Sequence, residues 1–115
     1  DAHADLRDDY LGVKESHACV LHRCWDIVGD GKIYQFGIRS GDRDEFKFAK
    51  EHTFMEKFGF FRLDSIVKKL QGKPVYFTLD LDVLDPSEFP GTGTPEAGGA
   101  YVRSGGSCKA QYRGL

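Results

Sequence analysis

The sequence has 115 residues, of which 40% are hydrophobic, and its formal net charge is −2. This length accommodates one small domain, and the apolar fraction is sufficient to bury a core. The charge argues against nucleic acid or a membrane surface as a partner, and no stretch reaches the roughly 18 consecutive apolar residues of a membrane span. The charged first residues predict no signal peptide. The three cysteines are odd in number and lack metal-site spacing, which favours a reducing compartment and a cytoplasmic location.

Three helical patterns are visible along the chain. Ser16 can cap a helix over residues 17–28. A highly charged segment predicts a second helix over residues 44–51. Apolar residues spaced i, i+3, i+4, i+7 predict a third helix over residues 63–70, with two lysines suited to its C-terminal end.

Two runs of apolar, β-branched and aromatic residues predict strands, at residues 33–39 and 74–80. Neither run alternates cleanly between apolar and polar positions, which is typical of strands covered on both faces in a parallel sheet. Because helices lie between the strands, the connections are crossovers, and the fold class is predicted to be α/β. Trp25 and the group Phe54, Phe58, Phe60 and Phe61 are expected in the core.

The first polar cluster is the segment Asp1-Ala2-His3-Ala4-Asp5. In extended backbone, alternate residues share one face, so Asp1, His3 and Asp5 can converge on one patch. Groups packed so closely repel one another unless a cation joins them. The alternative is a solvated polar loop with coincidental spacing. The chain has no initial Met, and such a motif normally ends a buried strand, so we expect a piece of a longer protein.

The second cluster follows the predicted strand at 74–80. Asp80 and Asp82 share one face at its C-terminal end, where open α/β sheets place their ligand sites. Two buried carboxylates without partners would cost several kcal/mol, so they require cations or neutralisation. Asp85 precedes a proline and is assigned a structural role as a turn starter.

Together the two clusters supply four carboxylates and one imidazole. Oxygen ligands with some imidazole suit Mn²⁺ better than a metal selected by thiolates. Five protein ligands are too many for one catalytic ion with an open position, and they suit two ions roughly 3.5–4 Å apart that share bridging carboxylates. Such a pair yields a hydroxide nucleophile near neutral pH, which is the chemistry of a hydrolase.

These residues resemble the ureohydrolase family, which contains the arginases and agmatinases. Residues 1–5 are similar to its D-A-H-x-D signature, and residues 78–86 to its S-x-D-x-D-x-x-D-P signature. Residues 91–99 resemble its G-T-G-T-P-x-x-G-G segment. The resemblance covers residues 1–99, the central part of a ureohydrolase catalytic domain, and implies an arginase-like α/β/α sandwich with a mainly parallel sheet. Residues 100–115 form an atypical tail that is expected to be irregular or disordered.

The resemblance also implies two Mn²⁺ ions and a role for each ligand. Asp1 and Asp80 would bridge both ions, Asp5 would complete one site, and His3 and Asp82 would complete the other. The family takes a further metal histidine from a G-G-x-H motif upstream, which this sequence does not contain. A later E-V-N/D-P type motif, whose glutamate holds the guanidinium, is also absent, so activity of this chain alone is in question.

Two further residues are candidates on the substrate side. His17 matches the position of a substrate-side histidine in the family and could pass a proton to the departing amine, or it could be a residue of the helix cap. Glu96 in the glycine-rich loop could face a cationic substrate, although an exposed loop carboxylate is the commoner case. Arg39 could border the pocket, whereas His22 and His52 are expected to be structural.

The resemblance implies hydrolysis of a guanidinium C–N bond by attack of a metal-bridging hydroxide. Residues 6–12 resemble agmatinases more than arginases, so agmatine is the expected small guanidino substrate, with putrescine and urea as products, and the full-length parent is expected to be a homo-oligomer. Alternatives are another ureohydrolase specificity (arginine, guanidinobutyrate or formiminoglutamate), or a non-catalytic truncated remnant or pseudoenzyme that binds metal or polyamine. A purely structural α/β domain is the remaining possibility.

Overall fold

The computed structural model describes residues 1–102. A 3₁₀ turn at His17–Cys19 leads into helix α1 (Val20–Val28), which is followed by strand β1 (Tyr34–Ile38). Helix α2 (Arg43–His52), strand β2 (Phe54–Lys57) and helix α3 (Leu63–Leu70) come next, and a second 3₁₀ turn spans Leu81–Val83. The three predicted helices are therefore present.

The sheet is parallel. β1 pairs with β2 from Tyr34 opposite Phe54 to Ile38 opposite Lys57, and the register shifts at the glycine between Phe36 and Ile38. The start of the chain lies alongside the end of β1, because His3 forms a parallel bridge with Ser40. The parallel strands β1 and β2 are joined through helix α2, and the predicted α/β class is confirmed.

Helix α2 is fixed at its start by a capping box. The Asp42 side chain accepts a hydrogen bond from the Glu45 N–H, and the Glu45 side chain accepts one from the Asp42 N–H. Glu45 is only 4% exposed, and its other carboxylate oxygen accepts the N–H of Leu6 at 3.0 Å. A single buried carboxylate therefore joins the helix start to the segment that carries the first polar cluster.

Aromatic rings join α1 to α2. His22 stacks on Phe48 with ring centroids 4.5 Å apart, and Trp25 meets Phe48 edge-on at 4.9 Å. Asp30 Oδ1 lies 2.7 Å from both Trp25 Nε1 and His52 Nδ1, and these hydrogen bonds hold the pKa of Asp30 below its usual value. His22 and His52 thus make the structural contacts expected of them.

Within residues 1–102, the buried apolar residues are aliphatic side chains and one cysteine, and they lie mainly beside β1 and the polar segments. Leu6, Ile38 and Cys19 are the largest side chains that are fully buried. The other buried apolar residues are Ala2, Ala4, Ile33, Ala49, Ile66, Val83 and Ala100. Several of them belong to the chain segments that carry the acidic clusters, so the core supports these segments directly.

The predicted strand at residues 74–80 is not found, and that prediction is wrong for the described chain. The segment has no strand pairing within residues 1–102, and Tyr76 and Phe77 are 94% and 78% exposed. A strand requires a neighbouring backbone to complete its hydrogen bonds, and composition alone does not supply one. Strand β2, by contrast, was missed, and Phe58 and Phe61, which were expected in the core, are exposed.

The predicted irregular tail falls mostly outside the described residues, which end at 102. Its first residue, Ala100, is buried and forms a parallel bridge with Leu84. In the described part of the chain, no helix has both the length and the apolar character needed to cross a membrane.

Candidate metal centre

Three of the predicted ligands meet at one place. Asp1, His3 and Asp82 each offer one ligand atom, and these atoms all lie within 4.8 Å of one another. His3 Nδ1 is 2.8 Å from Asp82 Oδ2 and 3.7 Å from Asp1 Oδ1. His3 and Asp82, which are 79 positions apart in the sequence, are therefore brought into contact.

Burial alternates along the first cluster, residues 1–5. Ala2 and Ala4 are fully buried, whereas Asp1, His3 and Asp5 are half-buried on the other face. The alternation follows from extended backbone, as expected. The backbone of Asp5 is not extended, because its φ is +54°, a left-handed conformation. The Asp5 carboxylate lies outside the close group of three.

The second cluster is a 3₁₀ turn rather than a strand end. Asp82 is 2% exposed, and its Oδ1 accepts the Ala2 N–H at 2.9 Å. Asp80 is exposed and caps the turn, since its Oδ1 accepts the Asp82 N–H at 3.0 Å. Asp80 is thus next to the centre but outside the close group.

Asp85 organises the loop that follows. Its Oδ1 accepts both the N–H and the hydroxyl of Ser87, at 3.0 and 2.7 Å. Its Oδ2 accepts the N–H groups of Gly98 and Gly99, at 2.9 and 3.2 Å. The Ser87 bonds contribute most to holding the pKa of Asp85 below its usual value. The structural role predicted for Asp85 is observed.

Glu96 reaches the centre from this loop. Its Oε1 lies 3.3 Å from His3 Nε2, while the Asp82 and Asp1 carboxylates lie on the Nδ1 side of the same ring. The Glu96 side chain is 40% exposed. The weak substrate-side candidate is therefore a direct neighbour of a candidate metal ligand.

Burial raises the pKa of Asp5 above its usual value, because a half-buried carboxylate loses hydration when it is charged. The charges of His3 and His17 act in the opposite direction, and Glu45 adds to the increase. A carboxylate with an unfavourable charged state would gain from a nearby cation.

His17 begins the first 3₁₀ turn and is exposed. Its Nδ1 lies 3.4 Å from the Ser16 hydroxyl, and its ring meets Tyr10 edge-on with centroids 5.8 Å apart. Ser16 caps the turn by accepting the Ala18 N–H at 3.3 Å, as the sequence predicted. The charge of His17 acts to lower the pKa of Asp5. His17 is also accessible to solvent.

The chain is similar to known proteins in sequence and in fold. The sequence model of the arginase family matches residues 1–113. The chain belongs to the arginase family. It is 48% identical to an agmatinase of Bacillus anthracis over 101 residues, which are 86% of this chain and 35% of that protein. It is 42% identical over 103 residues to an N(1)-aminopropylagmatine ureohydrolase of Thermococcus kodakarensis, again covering 86% of this chain and 35% of the other.

Solved structures show the same family fold. A Clostridium difficile protein proposed to be an agmatinase superposes with a TM-score of 0.83 at 62% identity, covering 86% of this chain and 37% of that one. The agmatine ureohydrolase of Thermoplasma volcanium superposes with a TM-score of 0.73 at 38% identity, covering 86% of this chain and 36% of that one. This arginase-family chain thus spans about a third of the length of the relatives that it matches, 35% for the curated ones.

The donors of this arginase-family site fit a divalent cation. The close group offers two carboxylates and one imidazole, which is an oxygen-rich set with one nitrogen. Within residues 1–102, neither Asp1 nor Asp82 forms an ion pair with a lysine or arginine, and the His3 imidazole lies beside both carboxylates. Three donors suit one ion, and Asp5 and Asp80 are the remaining carboxylates at the margin of the group.

Sequence reasoning missed the residues that hold the site together. Arg39, suggested only as a border of the pocket, uses its guanidinium to bind main-chain carbonyls of both site loops. Gly37 has a φ of +79°, and a Cβ there would lie 2.7 Å from a Val83 methyl group. Gly99 has no room for a Cβ against the backbone of Leu84. A glycine inside an apolar strand and an arginine at its end were the available signals.

Proposed function

We propose that this arginase-family protein carries out manganese-dependent hydrolysis of a guanidinium C–N bond, with agmatine as the substrate and putrescine and urea as the products. The observation that carries the proposal is the convergence of Asp1, His3 and Asp82 within 4.8 Å, in a chain whose relatives are named agmatinases. The chain spans about a third of the length of those relatives. We also propose a cytoplasmic location and assembly of the full-length parent into a homo-oligomer.

The proposed ligands follow the family pattern in the numbering of this chain. Asp1 and Asp80 would serve two Mn²⁺ ions, Asp5 would complete one ion, and His3 and Asp82 would complete the other. Three of these five residues form the close group, and Asp80 is joined to it through the Asp82 N–H. The raised pKa of Asp5 supports its place in the set, since burial disfavours its charged form and a bound cation would favour it. The proposed catalytic segment is residues 1–99.

The chemistry divides between the metal and the chain. When bound, the ions supply Lewis-acid polarisation and an activated water. Asp1, His3 and Asp82 would hold an ion, and the burial of Asp82 together with the half-burial of Asp1 and His3 limits the access of competing water. His17, exposed and within electrostatic reach of Asp5, is the proposed carrier of the proton to the leaving amine. Glu96 borders the site and is the weaker substrate-side candidate.

A longer substrate is a second candidate. Relatives from Thermococcus kodakarensis and Thermus thermophilus, 42% and 40% identical to this chain, are named N(1)-aminopropylagmatine ureohydrolases. Agmatine and aminopropylagmatine share the guanidinium group that the acidic site would face, and they differ in the amine chain. Arginine, guanidinobutyrate and formiminoglutamate are further specificities to compare. A non-catalytic protein that binds metal or polyamine is the alternative outside catalysis.

The test is urea release by the purified chain with Mn²⁺, measured with agmatine, aminopropylagmatine and arginine in parallel. We expect urea from agmatine that requires Mn²⁺ and is lost in Asp82→Asn. Asp64→Asn, a matched change at an exposed aspartate in α3, should leave the rate unchanged. Saturable Mn²⁺ binding without turnover of any of these substrates would contradict the hydrolase proposal and favour the metal-binding alternative.

A further inference from the structure

Arg39 has an unusual set of partners. Within residues 1–102, its guanidinium donates only to main-chain carbonyls, and these come from two segments that are far from it in sequence. Nη2 donates to the carbonyls of Asp82 at 2.7 Å and Glu96 at 2.6 Å. The further acceptors are the carbonyls of Val83 and Leu84, each at 3.3 Å, and of Ala97 at 3.1 Å.

The backbone of Arg39 adds a third segment. Its N–H donates to the carbonyl of Ala2 at 2.8 Å, and the Ser40 N–H donates to the same oxygen at 2.9 Å. The residue therefore contacts all three parts of the chain that build the candidate metal centre: the first polar cluster, the Asp82 turn and the Glu96 loop.

These contacts determine what surrounds His3. Asp82 Oδ2 lies 2.8 Å from Nδ1, and Glu96 Oε1 lies 3.3 Å from Nε2. The carbonyl oxygens of both Asp82 and Glu96 are held by the same Arg39 nitrogen. A shift of either loop would move a carboxylate away from one side of the imidazole.

We propose that Arg39 and Glu96 are positioning residues of the metal centre, Arg39 by locking the Asp82 turn to the Glu96 loop and Glu96 by orienting His3 through Nε2. The inference rests on the proposed metal-dependent function. Metal-binding histidines commonly donate their other ring N–H to a carboxylate, which fixes the ring and favours the coordinating nitrogen. Glu96 Oε1, at 3.3 Å from Nε2, is within reach of such a contact.

An arginine suits this task better than a lysine. The guanidinium is planar and carries five N–H donors in a fixed fork, so it can serve several carbonyls at once. An ammonium group has three donors on one nitrogen, so it cannot reproduce the contacts that Nε, Nη1 and Nη2 together make with carbonyls of the two loops. Arg39→Lys therefore keeps the charge and weakens the connection.

The first experiment compares Arg39→Lys with Arg43→Lys, the same change at an exposed arginine of α2. Amide hydrogen exchange of the metal-free 115-residue chain is followed by NMR at Ala2, whose N–H donates to Asp82, and at Ala100, whose N–H donates to Val83. We expect exchange at both amides to accelerate by about tenfold in Arg39→Lys, because the hydrogen bonds that hold the turn are lost. Arg43→Lys should leave both rates unchanged.

Calorimetric titration with Mn²⁺ measures the effect on the centre. Arg39→Lys should bind Mn²⁺ about 10- to 100-fold more weakly, as is typical when an outer partner of a ligand is lost. Unchanged exchange at Ala2 together with unchanged Mn²⁺ affinity would overturn the role of Arg39.

Glu96→Ala tests the role of Glu96 separately from that of Arg39. It can also be measured if Arg39→Lys does not fold. Arg39 binds the Glu96 carbonyl, so this variant should keep wild-type exchange at Ala2 and Ala100 while Mn²⁺ affinity falls about tenfold. Glu88→Ala, at an exposed glutamate of the same loop, is the control. Wild-type affinity in Glu96→Ala would overturn the role of Glu96.

The outcomes also separate this inference from the proposed function. Wild-type chain that binds no Mn²⁺ would overturn the proposed function and the role of Glu96 with it. The exchange rates of Arg39→Lys would still decide whether Arg39 positions the Asp82 turn. Metal binding that is equally strong in all variants would leave the proposed function standing and overturn the positioning inference.

Discussion

Residues 33–57 and residues 80–100 are held in place by different kinds of interaction. In the first region, β1 and β2 pair through their main chains, and α2 is capped by residues three positions apart. In the second region, regular structure is limited to the 3₁₀ turn Leu81–Val83 and an isolated bridge, and side chains of Asp80, Asp85 and Arg39 bind main-chain groups.

The comparison shows where chemistry is placed in this protein. The strand and helix region depends on main-chain pairing between β1 and β2 and on the local capping box of α2. The loop region is held by hydrogen bonds from the Arg39 side chain to distant main-chain carbonyls. It places Asp82 and Glu96 beside His3. Variants in the two regions should therefore fail in different ways, which the following changes test.

Gly37→Ala should give the largest loss of stability because it disturbs the contact between the two regions. An alanine Cβ would lie 2.7 Å from a Val83 methyl group and 3.2 Å from the Phe60 ring, in a backbone with φ of +79°. We expect the free energy of unfolding to fall by about 2–4 kcal/mol in urea denaturation, from overpacking and left-handed strain. Gly91→Ala, where a Cβ meets nothing within 4 Å, should change it by less than about 1 kcal/mol. Equal effects would show that the close approach at Gly37 is not formed.

Glu45→Gln should give the next largest effect. The buried Glu45 carboxylate accepts the N–H groups of Leu6 and Asp42, and an amide can accept only one of them. We expect a loss of about 1–3 kcal/mol from the unsatisfied buried N–H, measured by thermal unfolding. Glu51→Gln, at an exposed position of the same helix, is the control and should stay within about 0.5 kcal/mol. A loss in Glu45→Gln no larger than that of Glu51→Gln would contradict the hydrogen bond by which Glu45 joins α2 to Leu6.

Asp85→Asn tests the loop region and carries a pH dependence. The amide cannot accept hydrogen bonds at both ends, so we expect a loss of about 1–2 kcal/mol at pH 7. Since the folded chain holds the pKa of Asp85 below its unfolded value, the stabilisation is present above about pH 4 and is lost as the pH falls through the folded pKa. Denaturation curves of the two proteins should therefore converge in acid. A difference that grows on acidification would show that the carboxylate does not hold the loop.

Phe77→Ser should have the smallest effect. Phe77 is 78% exposed in a segment without strand pairing in the described chain, so the free energy of unfolding should change by less than about 0.5 kcal/mol. Urea denaturation of the 115-residue chain measures it. A loss above about 2 kcal/mol would mean that residues 74–80 are packed, as the sequence had predicted.

The predictions from sequence succeeded where the signal was local. The i, i+3, i+4, i+7 spacing identified helix α3 with its observed ends, and Ser16 was identified as a cap. The period of two placed Asp1 and His3 on one face. Burial and turn chemistry of single segments can be inferred from their own residues.

The predictions failed where a distant partner decides the outcome. Residues 74–80 have a strand composition, but no neighbouring strand pairs with them within residues 1–102. The acceptors of the Arg39 guanidinium lie 43 to 58 positions away, and no spacing rule relates them. The meeting of His3 and Asp82 was inferred from their charges and the family resemblance rather than from any local pattern.

Mn²⁺ binding by the wild-type chain and by Asp82→Asn tests the central claim most directly. The asparagine keeps the shape that accepts the Ala2 N–H and removes the charge that the cation requires. We predict saturable binding to the wild type and affinity at least about 100-fold weaker in Asp82→Asn, beyond the 10- to 100-fold typical of an outer partner. Asp64→Asn should match the wild type. Equal affinity in the wild type and Asp82→Asn would contradict the claim that the two acidic clusters share a cation.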